Sequence, residues 1–494
     1  MMTARFLSAC SAFAVAVLLG GCVAGPPAVI ETPPPVLPAS FAYAPEPGVS
    51  ASVAALLPEV DPAFADLSAL ALADSPNLAQ AIARIDRARA VSDRAGAGRM
   101  PQLGATASVQ GTRINPAQFG TNFPSSISID AERVSYGASL TAAWDPDLFG
   151  GLRAQERAAI ARIDAAGADA AGVRLALMSE VAGAVIDWRT LAAREAALEQ
   201  DLVAAETLVT LADIRERSGI APGFDRVRAE TAAEASRSRI SALPGARAQL
   251  IGRLVTLTAQ PAALVRAALE QPAPELAQPA PPASVPSDLL ANRPDVLAAA
   301  ARLAASDADL YATAAQRFPS LDLSAALGLL AFDIGGLFES DAVTGSVGGS
   351  LLAPLIDFGR IEAEIDAVEA DKRIAFQAYR GAVFTALGDA EAAYGLVQAA
   401  DRALIVAERE QASNVRSARL ADVRYRAGLS DFLTVLDARR NADASGERVA
   451  IARGQTQRAR VILWQALGGD QMGGDQLGGD QSGEDQAADP ELTP

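Results

Sequence analysis

Four short segments of the chain alternate apolar residues with glycine or small polar residues. Their apolar positions are Leu103, Ala105, Ala107 and Val109, then Val134, Tyr136, Ala138, Leu140 and Ala142, then Leu321, Leu323, Ala325, Leu327 and Leu329, and finally Val343, Val347 and Leu351. A period of two gives each face of a strand its own kind of side chain. The pattern predicts strands at about 102–111, 133–143, 320–330 and 343–353, the length of a tilted membrane-spanning strand.

Two proline-free stretches predict very long helices, at about 151–217 and about 360–427. In the first stretch, apolar or small residues recur at steps of four and three, which is the spacing of a coiled-coil seam. These residues are Leu198, Leu202, Ala205, Val209 and Ala212. At about 1.5 Å per residue, each helix would span on the order of 100 Å. Such a length exceeds a compact domain, and it fits a stalk as well as a channel.

The second half of the chain repeats the order of the first. "RMPQLGATASVQG" at Arg99 is echoed by "RFPSLDLSAALG" at Arg317, and "WDPDLFGGLRAQ" at Trp144 by "LIDFGRIEAE" at Leu355. A third match joins "RERSGIAPGFDRVRAE" to "YRAGLSDFLTVLDARR". The offsets are about 218, 209 and 209 residues, and three ordered matches at nearly one offset indicate an internal duplication.

The predicted organisation has six parts. They are a signal peptide (1–21), a lipid-anchored proline-rich extended segment (22–60), a first repeat (61–270), a proline-rich linker (271–287), a second repeat (288–467) and a disordered acidic tail (468–494). Each repeat is predicted to hold a helix, two strands, the long helix, a tip turn and a return helix. Pro244 is expected to bend or interrupt the first return helix, because proline lacks a backbone N–H.

The amino terminus predicts secretion and lipid attachment. "MMTARFLSACSAFAVAVLLGGC" has a positive charge at Arg5 and an apolar run too short to span a membrane as a helix. Leu19, Gly20 and Gly21 before Cys22 resemble the lipobox of bacterial lipoproteins, in which the cysteine becomes the lipidated first residue. The alternative is an ordinary signal peptide that contains a cysteine by chance.

Composition excludes several kinds of chemistry. The 494 residues include no histidine and only two cysteines, so catalysis by histidine and zinc sites of the Cys/His type are excluded. The formal net charge of −17 disfavours nucleic acid as a partner. We therefore predict neither an enzyme nor a cofactor or metal site.

The four predicted strands favour a membrane location but leave an alternative open. An apolar face and a small polar face would suit lipid outside and water inside, although a soluble two-layer packing gives a similar pattern. Four strands cannot close a barrel, and lipid cannot satisfy the open edges of a sheet. If the strands span a membrane, several chains must share one barrel.

These features together resemble the TolC/OprM-like outer-membrane efflux proteins, specifically the lipidated, NodT-type branch that serves resistance-nodulation-division (RND) pumps. The resemblance rests on the lipobox, "PSDLLANRPDV" from Pro286 to Val296, "RFPSL", "LIDFGRI" and "YRAGLSDFLTVLDARR". It implies an α+β membrane protein: a homotrimer with a 12-stranded transmembrane β-barrel, four strands per chain, continuous with a long periplasmic α-helical barrel. The implied partners are a periplasmic adaptor (membrane fusion) protein, an inner-membrane RND pump and outer-membrane lipid through Cys22.

The resemblance also implies sites at the two predicted tip turns. The adaptor would contact two tips, which are Ser218, Gly219, Ile220 and Ala221 in the first repeat and Ala427, Gly428, Leu429 and Ser430 in the second. A periplasmic gate would use four residues, which are Asp225, Leu433, Asp437 and Arg440. Three copies of Asp437 would form an anionic ring. Some relatives have a second aspartate where this chain has Thr434, so a double acidic ring is not expected.

The predicted function is the outer-membrane exit duct of a tripartite RND-type efflux pump, which passively conducts drugs or other small molecules to the exterior. Two alternatives remain. One is the same architecture in type I protein secretion, and the other is a non-conducting periplasmic structural lipoprotein, which would leave the strands without a purpose.

Overall fold

The computed structural model describes residues 32–45, 52–113, 115, 132–274 and 278–469, and over these residues it has nine α-helices and four strands. The helices are α1 Pro62–Asp74, α2 Pro76–Ala97, α3 Gly151–Arg217, α4 Gly223–Thr258, α5 Ala262–Leu269, α6 Asp288–Asn292, α7 Pro294–Ala314, α8 Arg360–Arg426 and α9 Phe432–Ala466. The strands are β1 Gln102–Arg113, β2 Glu132–Trp144, β3 Ser320–Ala331 and β4 Val343–Leu352. None of the described helices is long and apolar enough to cross a membrane.

The chain divides into two compact units. Of the described residues, the first includes 86–113, 132–164 and 300–378 and contains all four strands. The second includes 34–45, 52–85, 165–274, 278–299 and 379–469. It contains the two predicted tips and the candidate gate residues.

The first unit contains one antiparallel sheet in the order β1-β2-β3-β4. Directly opposed pairs such as Leu103 with Ala142 and Ala325 with Val347 bring the apolar positions of all four strands to one face. The other face carries small polar residues, and the Thr106 and Ser139 hydroxyls on it are 2.8 Å apart. The apolar face is exposed within the chain, where Val347 is 90% accessible.

Each long helix begins with an aspartate that caps its first turn. The Asp147 carboxylate accepts hydrogen bonds from the backbone N–H of Leu152 at 2.9 Å and of Arg153 at 2.8 Å, at the start of α3. Asp357 accepts one from the N–H of Ile361 at 2.9 Å, at the start of α8. These bonds satisfy donors that have no partner within a helix.

The sequence predicts one helix before the strands in each repeat, whereas the structure has two. Pro76 begins α2 and Pro294 begins α7, and the residue before each proline is extended, with ψ of 121° at both Ser75 and Arg293. Proline disfavours the α conformation in the preceding residue, which explains the break. The two breaks lie 218 residues apart, so they occupy equivalent positions in the duplication.

Pro244 does not interrupt the first return helix, because α4 continues through it. At the other end of the chain, Gly468 and Gly469 close α9, donating backbone hydrogen bonds to the carbonyls of Gln465 and Trp464 at 3.1 and 2.9 Å. The rest of the predicted acidic tail, 470–494, lies outside the described residues.

The second unit holds the linker between the repeats through side chains of both. Arg189 on α3 donates to the backbone carbonyl of Gln271 at 3.0 Å, and Arg460 on α9 to that of Pro279 at 2.9 Å. The Tyr394 hydroxyl on α8 donates to the carbonyl of Pro282 at 2.8 Å, and burial raises the pKa of this hydroxyl to about 12. Proline-rich chain has few hydrogen bonds of its own, so these side chains fix its path.

The two arginines each have a carboxylate partner. Arg189 binds both oxygens of Asp61 at 2.9 Å, and Asp61 also caps α1. Arg460 binds Asp401 at 2.8 and 3.1 Å. The Asp61 side chain is 0% exposed and the Asp401 side chain 34%. Bidentate arginine pairs of this kind hold their partners in one geometry.

Candidate functional site

The second predicted tip is a tight turn between α8 and α9. Gly428 has a positive φ of 73°, its N–H donates to the carbonyl of Tyr425 at 2.9 Å, and the N–H of Leu429 donates to that of Arg424 at 2.8 Å. This pair of bonds is a Schellman motif, which requires the left-handed conformation that glycine adopts readily.

The first predicted tip, between α3 and α4, has the same geometry. Gly219 has a φ of 70°, its N–H donates to the carbonyl of Glu216 at 2.9 Å, and the N–H of Ile220 donates to that of Arg215 at 2.9 Å. Both turns expose an apolar side chain immediately after the glycine, since Ile220 is 67% accessible and Leu429 68%. Of the other tip residues, Ser218 and Ala427 are exposed, while Ala221 and Ser430 are partly buried.

An aromatic cluster lies beneath the second tip. The rings of Tyr425 and Phe432 are 5.8 Å apart in an edge-to-face arrangement, and the Arg215 guanidinium lies 4.5 Å from the centre of the Tyr425 ring. Burial raises the pKa of the Tyr425 hydroxyl, and the nearby carboxylate of Asp225 also favours its protonated form. The cluster joins the end of α3 to the turn between α8 and α9.

The gate residues predicted in the second repeat share one face of α9. Leu433, Asp437 and Arg440 are exposed, while Val435 and Leu436, which lie between them in the sequence, are buried in the cluster beneath the tips. Among the described residues, neither Asp437 nor Arg440 has an ion-pair partner. Asp225, the gate residue predicted in the first repeat, lies in the first turn of α4 and is partly buried.

The first repeat fills the equivalent positions differently. An offset of 209 relates Leu433 to Phe224 and Asp437 to Arg228. The Arg228 guanidinium lies 4.1 Å from the centre of the Phe224 ring, a cation–π contact within α4. The first tip therefore uses these positions for a contact of its own, whereas the second leaves Leu433 and Asp437 exposed.

Thr434 contributes to the second tip in a way that the sequence reasoning missed. Asp431, the N-cap of α9, accepts hydrogen bonds from both the hydroxyl and the backbone N–H of Thr434, each at 2.7 Å. The Thr434 hydroxyl contributes most to holding the pKa of Asp431 below its usual range, with the backbone N–H next. Thr434 is therefore part of the helix cap, and a three-residue spacing from an acidic N-cap is the signal that would have found it.

A pair of acidic side chains joins α3 to α9, and no sequence motif pointed to it. The carboxyl groups of Asp201 and Asp443 interact with each other, and Asp201 is buried while Asp443 is partly buried. Burial, followed by the charge of Asp443, raises the pKa of Asp201 to about 7, and burial also raises the pKa of Asp443. Arg239 on α4 and Arg439 on α9 partly offset these effects, and Glu447 adds negative charge although Arg194 binds it at 2.7 Å.

Arg293, in the "NRPD" segment, does more than precede a helix. Its guanidinium binds Asp295 at 2.7 Å, Asp389 on α8 at 3.0 Å and the carbonyl of Ala466 at the end of α9 at 3.0 Å. Although burial on its own raises the pKa of Asp295, the bonds from Arg293 hold it below the usual range. Arg293 therefore connects the start of α7 with α8 and with the end of α9.

Other predicted features are only partly described. The signal peptide and Cys22 lie outside the described residues. Within those residues, no group of three or more acidic or sulfur ligands is arranged to hold a metal ion.

Comparison with known proteins identifies the family. The model of the outer membrane efflux protein family matches residues 67–260 and 285–469. The starts of the two matched segments are 218 residues apart and their ends 209 apart, the offsets of the duplication. The chain is 31% identical over 415 residues to the pyoverdine export outer membrane protein OpmQ of Pseudomonas aeruginosa, covering 83% of this chain and 85% of OpmQ.

A second relative and a solved structure support the same family assignment. Outer membrane protein OprJ of Pseudomonas aeruginosa is 31% identical over 418 residues, covering 83% of this chain and 85% of OprJ. The solved structure of the outer-membrane channel OprN has a TM-score of 0.82 and 27% identity, and covers 91% of this chain and 99% of the OprN chain.

These comparisons confirm three predictions: the fold class of the trimeric outer-membrane channels, the outer-membrane location, and the function as exit channel of an RND-type efflux pump. The names of the relatives refer to export and efflux, which favours efflux over protein secretion and describes transport components rather than enzymes. The chain belongs to the outer membrane efflux protein family.

Proposed function

We propose that three copies of this chain, each anchored in the outer membrane by lipid on Cys22, form the exit duct of a tripartite pump. The duct conducts small molecules passively, and its periplasmic end is closed at rest by the gate residues of the second repeat. OpmQ is named for pyoverdine export, and an exported molecule of similar size is the expected cargo. No chemistry in the channel is expected.

The proposal that these residues form the gate rests on one observation. Leu433, Asp437 and Arg440 are exposed on a helix that has buried residues between them, and the acid and the base have no ion-pair partner among the described residues. Charged side chains left unpaired in one chain are available to pair between copies. Three such sets around an axis would form a ring of charges that closes the aperture and attracts cations when it opens.

The two tips supply the surface for the adaptor. Each ends in an exposed apolar side chain, Ile220 or Leu429, on a turn that a Schellman motif holds in one shape. Exposed apolar groups on a fixed turn are suited to a protein partner. The adaptor would in turn connect the tips to an inner-membrane RND pump.

Single-channel recording in planar lipid bilayers tests the duct. Purified protein that is trimeric by mass measurement should insert and give discrete conductance steps, with a low resting conductance. Trimeric, folded protein that gives no conductance under any applied potential would refute the proposal.

A double substitution tests the gate. Asp437→Ala with Arg440→Ala should raise the resting conductance, because the charges that hold the aperture closed are removed. The matched control is Asp422→Ala with Arg426→Ala, which removes an exposed pair from α8 near the same tip without changing the net charge. Equal conductance in the gate variant, the control and the unmodified protein would exclude these gate residues.

Lipid attachment is tested separately. Labelled palmitate should be incorporated into the unmodified chain and not into Cys22→Ser. Equal labelling of both would exclude Cys22 as the attachment site without affecting the gate.

A further inference from the structure

The sheet ends in two unpaired edges. β1 and β4 are its outer strands, and each has a strand partner on one side only. The apolar positions of both strands are exposed, with Leu103 at 84% and Val347 at 90%. Edge strands that expose apolar side chains require a partner, because unpaired backbone groups cannot be left in lipid.

The internal duplication supplies a template for that partner. In the hairpin of the first repeat, Gln102 lies opposite Ala143, and in that of the second repeat Ser320 lies opposite Leu352. Gln102 and Ser320 are equivalent at an offset of 218, as are Ala143 and Leu352 at an offset of 209. The two hairpins therefore have the same register, residue for residue.

The joint between β2 and β3 shows how the second hairpin follows the first. Thr141 lies opposite Ala326 in this joint. At the same end of the two strands, the ring of Phe149, after β2, stacks on the ring of Phe318, before β3, with centroids 4.7 Å apart and planes at 11°. Phe149 is equivalent to Phe358 in "LIDFGRI", and Phe318 to Met100 in "RMPQL".

Among the residues that the structure describes, the equivalent residues at the two edges have no such contact. Phe358 follows β4 and is 98% exposed, and Met100 precedes β1 and is 65% exposed. They lie at opposite edges of the sheet, so one chain cannot bring them together. The connections before the long helices differ in backbone, with positive φ at Asp147 in the first repeat and at Phe358 in the second. The two repeats therefore agree more closely in strand register than in these connections.

We infer that β4 pairs with β1 of a second copy of this chain in the register of β2 with β3, and that Phe358 contacts Met100 of that copy. The register places Ser350 opposite Ser108, the equivalents of Thr141 and Ala326, and Leu351 opposite Ala107. The Leu351 pair lies on the apolar face of the sheet and the Ser350 pair on the polar face. Thioether and aromatic groups make favourable contacts, so methionine can replace the second ring. The inference rests on the proposed trimer and specifies its contacts.

Cysteine pairs test the register in the full-length chain. In Ser108→Cys with Ser350→Cys, oxidation in the membrane should give dimer and trimer bands on a denaturing gel, which a reducing agent removes. Thr106→Cys and Gln110→Cys, each combined with Ser350→Cys, are shifted by one position on the same face and should crosslink far less. Ser108→Cys and Ser350→Cys alone are the controls, because any crosslink that they give must involve Cys22 or two copies of the same introduced cysteine.

The outcomes separate the register from the trimer. Preferential crosslinking of either shifted pair in protein of trimeric mass would overturn the register and leave the trimer intact. Monomeric mass for the unmodified protein would refute the proposed function instead.

A second pair of variants tests the contact. Phe358→Ala should lower the temperature at which detergent-solubilised trimers dissociate into monomers, because its contact lies between chains. Phe149→Ala removes the equivalent contact within a chain and should leave that temperature nearly unchanged. Equal shifts for the two variants, or no shift for Phe358→Ala, would overturn the contact.

Discussion

The two repeats have the same backbone features and different side-chain contacts. Their tips use the same Schellman motif at Gly219 and Gly428, and their hairpins use the same register. At the positions equivalent to the gate residues, however, the first repeat has a phenylalanine that stacks with an arginine, while the second has an exposed leucine and an unpaired aspartate. Duplication therefore accounts for the fold, and side-chain divergence accounts for the different contacts at the two tips.

The same contrast extends along the helices. Asp201 and Asp443 are equivalent, at an offset of 209, to Glu410 and Glu234. Each glutamate has an arginine partner, Arg448 at 2.6 Å and Arg237 at 2.5 Å, whereas each of the two aspartates interacts with the other. Equivalent positions thus hold stabilising ion pairs in one place and a pair of acids in the other.

The largest expected effect concerns the buried arginines that hold the linker. Arg189→Ala should lower the free energy of unfolding by about 3–5 kcal/mol, because Asp61 would remain buried without its counter-charge. Arg460→Ala should cost about 1–3 kcal/mol, since water can reach Asp401. Denaturant unfolding followed by circular dichroism measures both. A smaller loss for Arg189→Ala than for Arg460→Ala would contradict the burial argument.

The acid pair predicts a pH dependence. The folded-state pKa of Asp201 is raised above its unfolded value, so the folded state binds more protons, and stability falls as pH rises from about 4 to about 7. Asp201→Asn keeps the shape and removes the charge, so it should flatten this dependence. It should also raise stability above pH 7 by on the order of 2 kcal/mol.

Thermal melting at a series of pH values measures the effect. Asp213→Asn is the matched control, because this aspartate lies on the same helix in an exposed pair with Arg217. If Asp201→Asn and Asp213→Asn have the same pH profile, the acid pair does not determine the dependence.

The glycines of the two tips should respond alike. Gly219→Ala and Gly428→Ala should each cost about 1–2 kcal/mol, because alanine is strained at positive φ. An added Cβ would meet no neighbouring atom at either position, so backbone strain is the only cause. Unequal losses in the free energy of unfolding would show that the two turns are not energetically equivalent.

The smallest expected effect is at the cap of the second return helix. Asp431→Ala removes the acceptor for the Thr434 N–H and should lower the melting temperature less than either glycine substitution. The first tip has Pro222 at its N-cap and no side-chain bond there, so Pro222→Ala serves as the comparison. A larger loss for Pro222→Ala would indicate that the cap contributes little.

Sequence reasoning predicted the elements whose causes are local. Alternating side chains identified the strands near positions where the structure has them. Stretches without proline identified the long helices, and Gly219 and Gly428 marked the turns that follow them. The helix break at Pro76 was missed although the proline was visible as the local signal, and the short helix α6 before Pro294 was missed too. Pro244 does not interrupt α4, so an interruption was the wrong alternative, while a bend at Pro244 stays a prediction.

The contacts between distant segments were not predictable in the same way. Asp61 and Arg189 are 128 residues apart, and Asp201 and Asp443 are farther apart still. In the sequence, Arg189, Asp201 and Asp443 appear as charges on long helices, which is typical of solvent-exposed faces, and Asp61 appears as a charge just before a helix. Which charges become buried depends on which helix faces meet, and tertiary packing determines that. The gate and tip residues came from the family resemblance rather than from the physics of the sequence, so their roles stay predictions.

Because side chains of both repeats bind the linker, the chain could be produced as two separate polypeptides, one for each repeat. Arg189 of the first repeat fixes the start of the linker, and Arg460 and Tyr394 of the second fix its end. The repeats are also joined by direct bonds, such as those from Arg194 to Glu447 and from Ser179 to Gln465. The covalent connection between Gln271 and Pro279 therefore contributes little to holding the two repeats together. Two separate polypeptides, produced together and divided at this point, should find each other and assemble as the intact chain does.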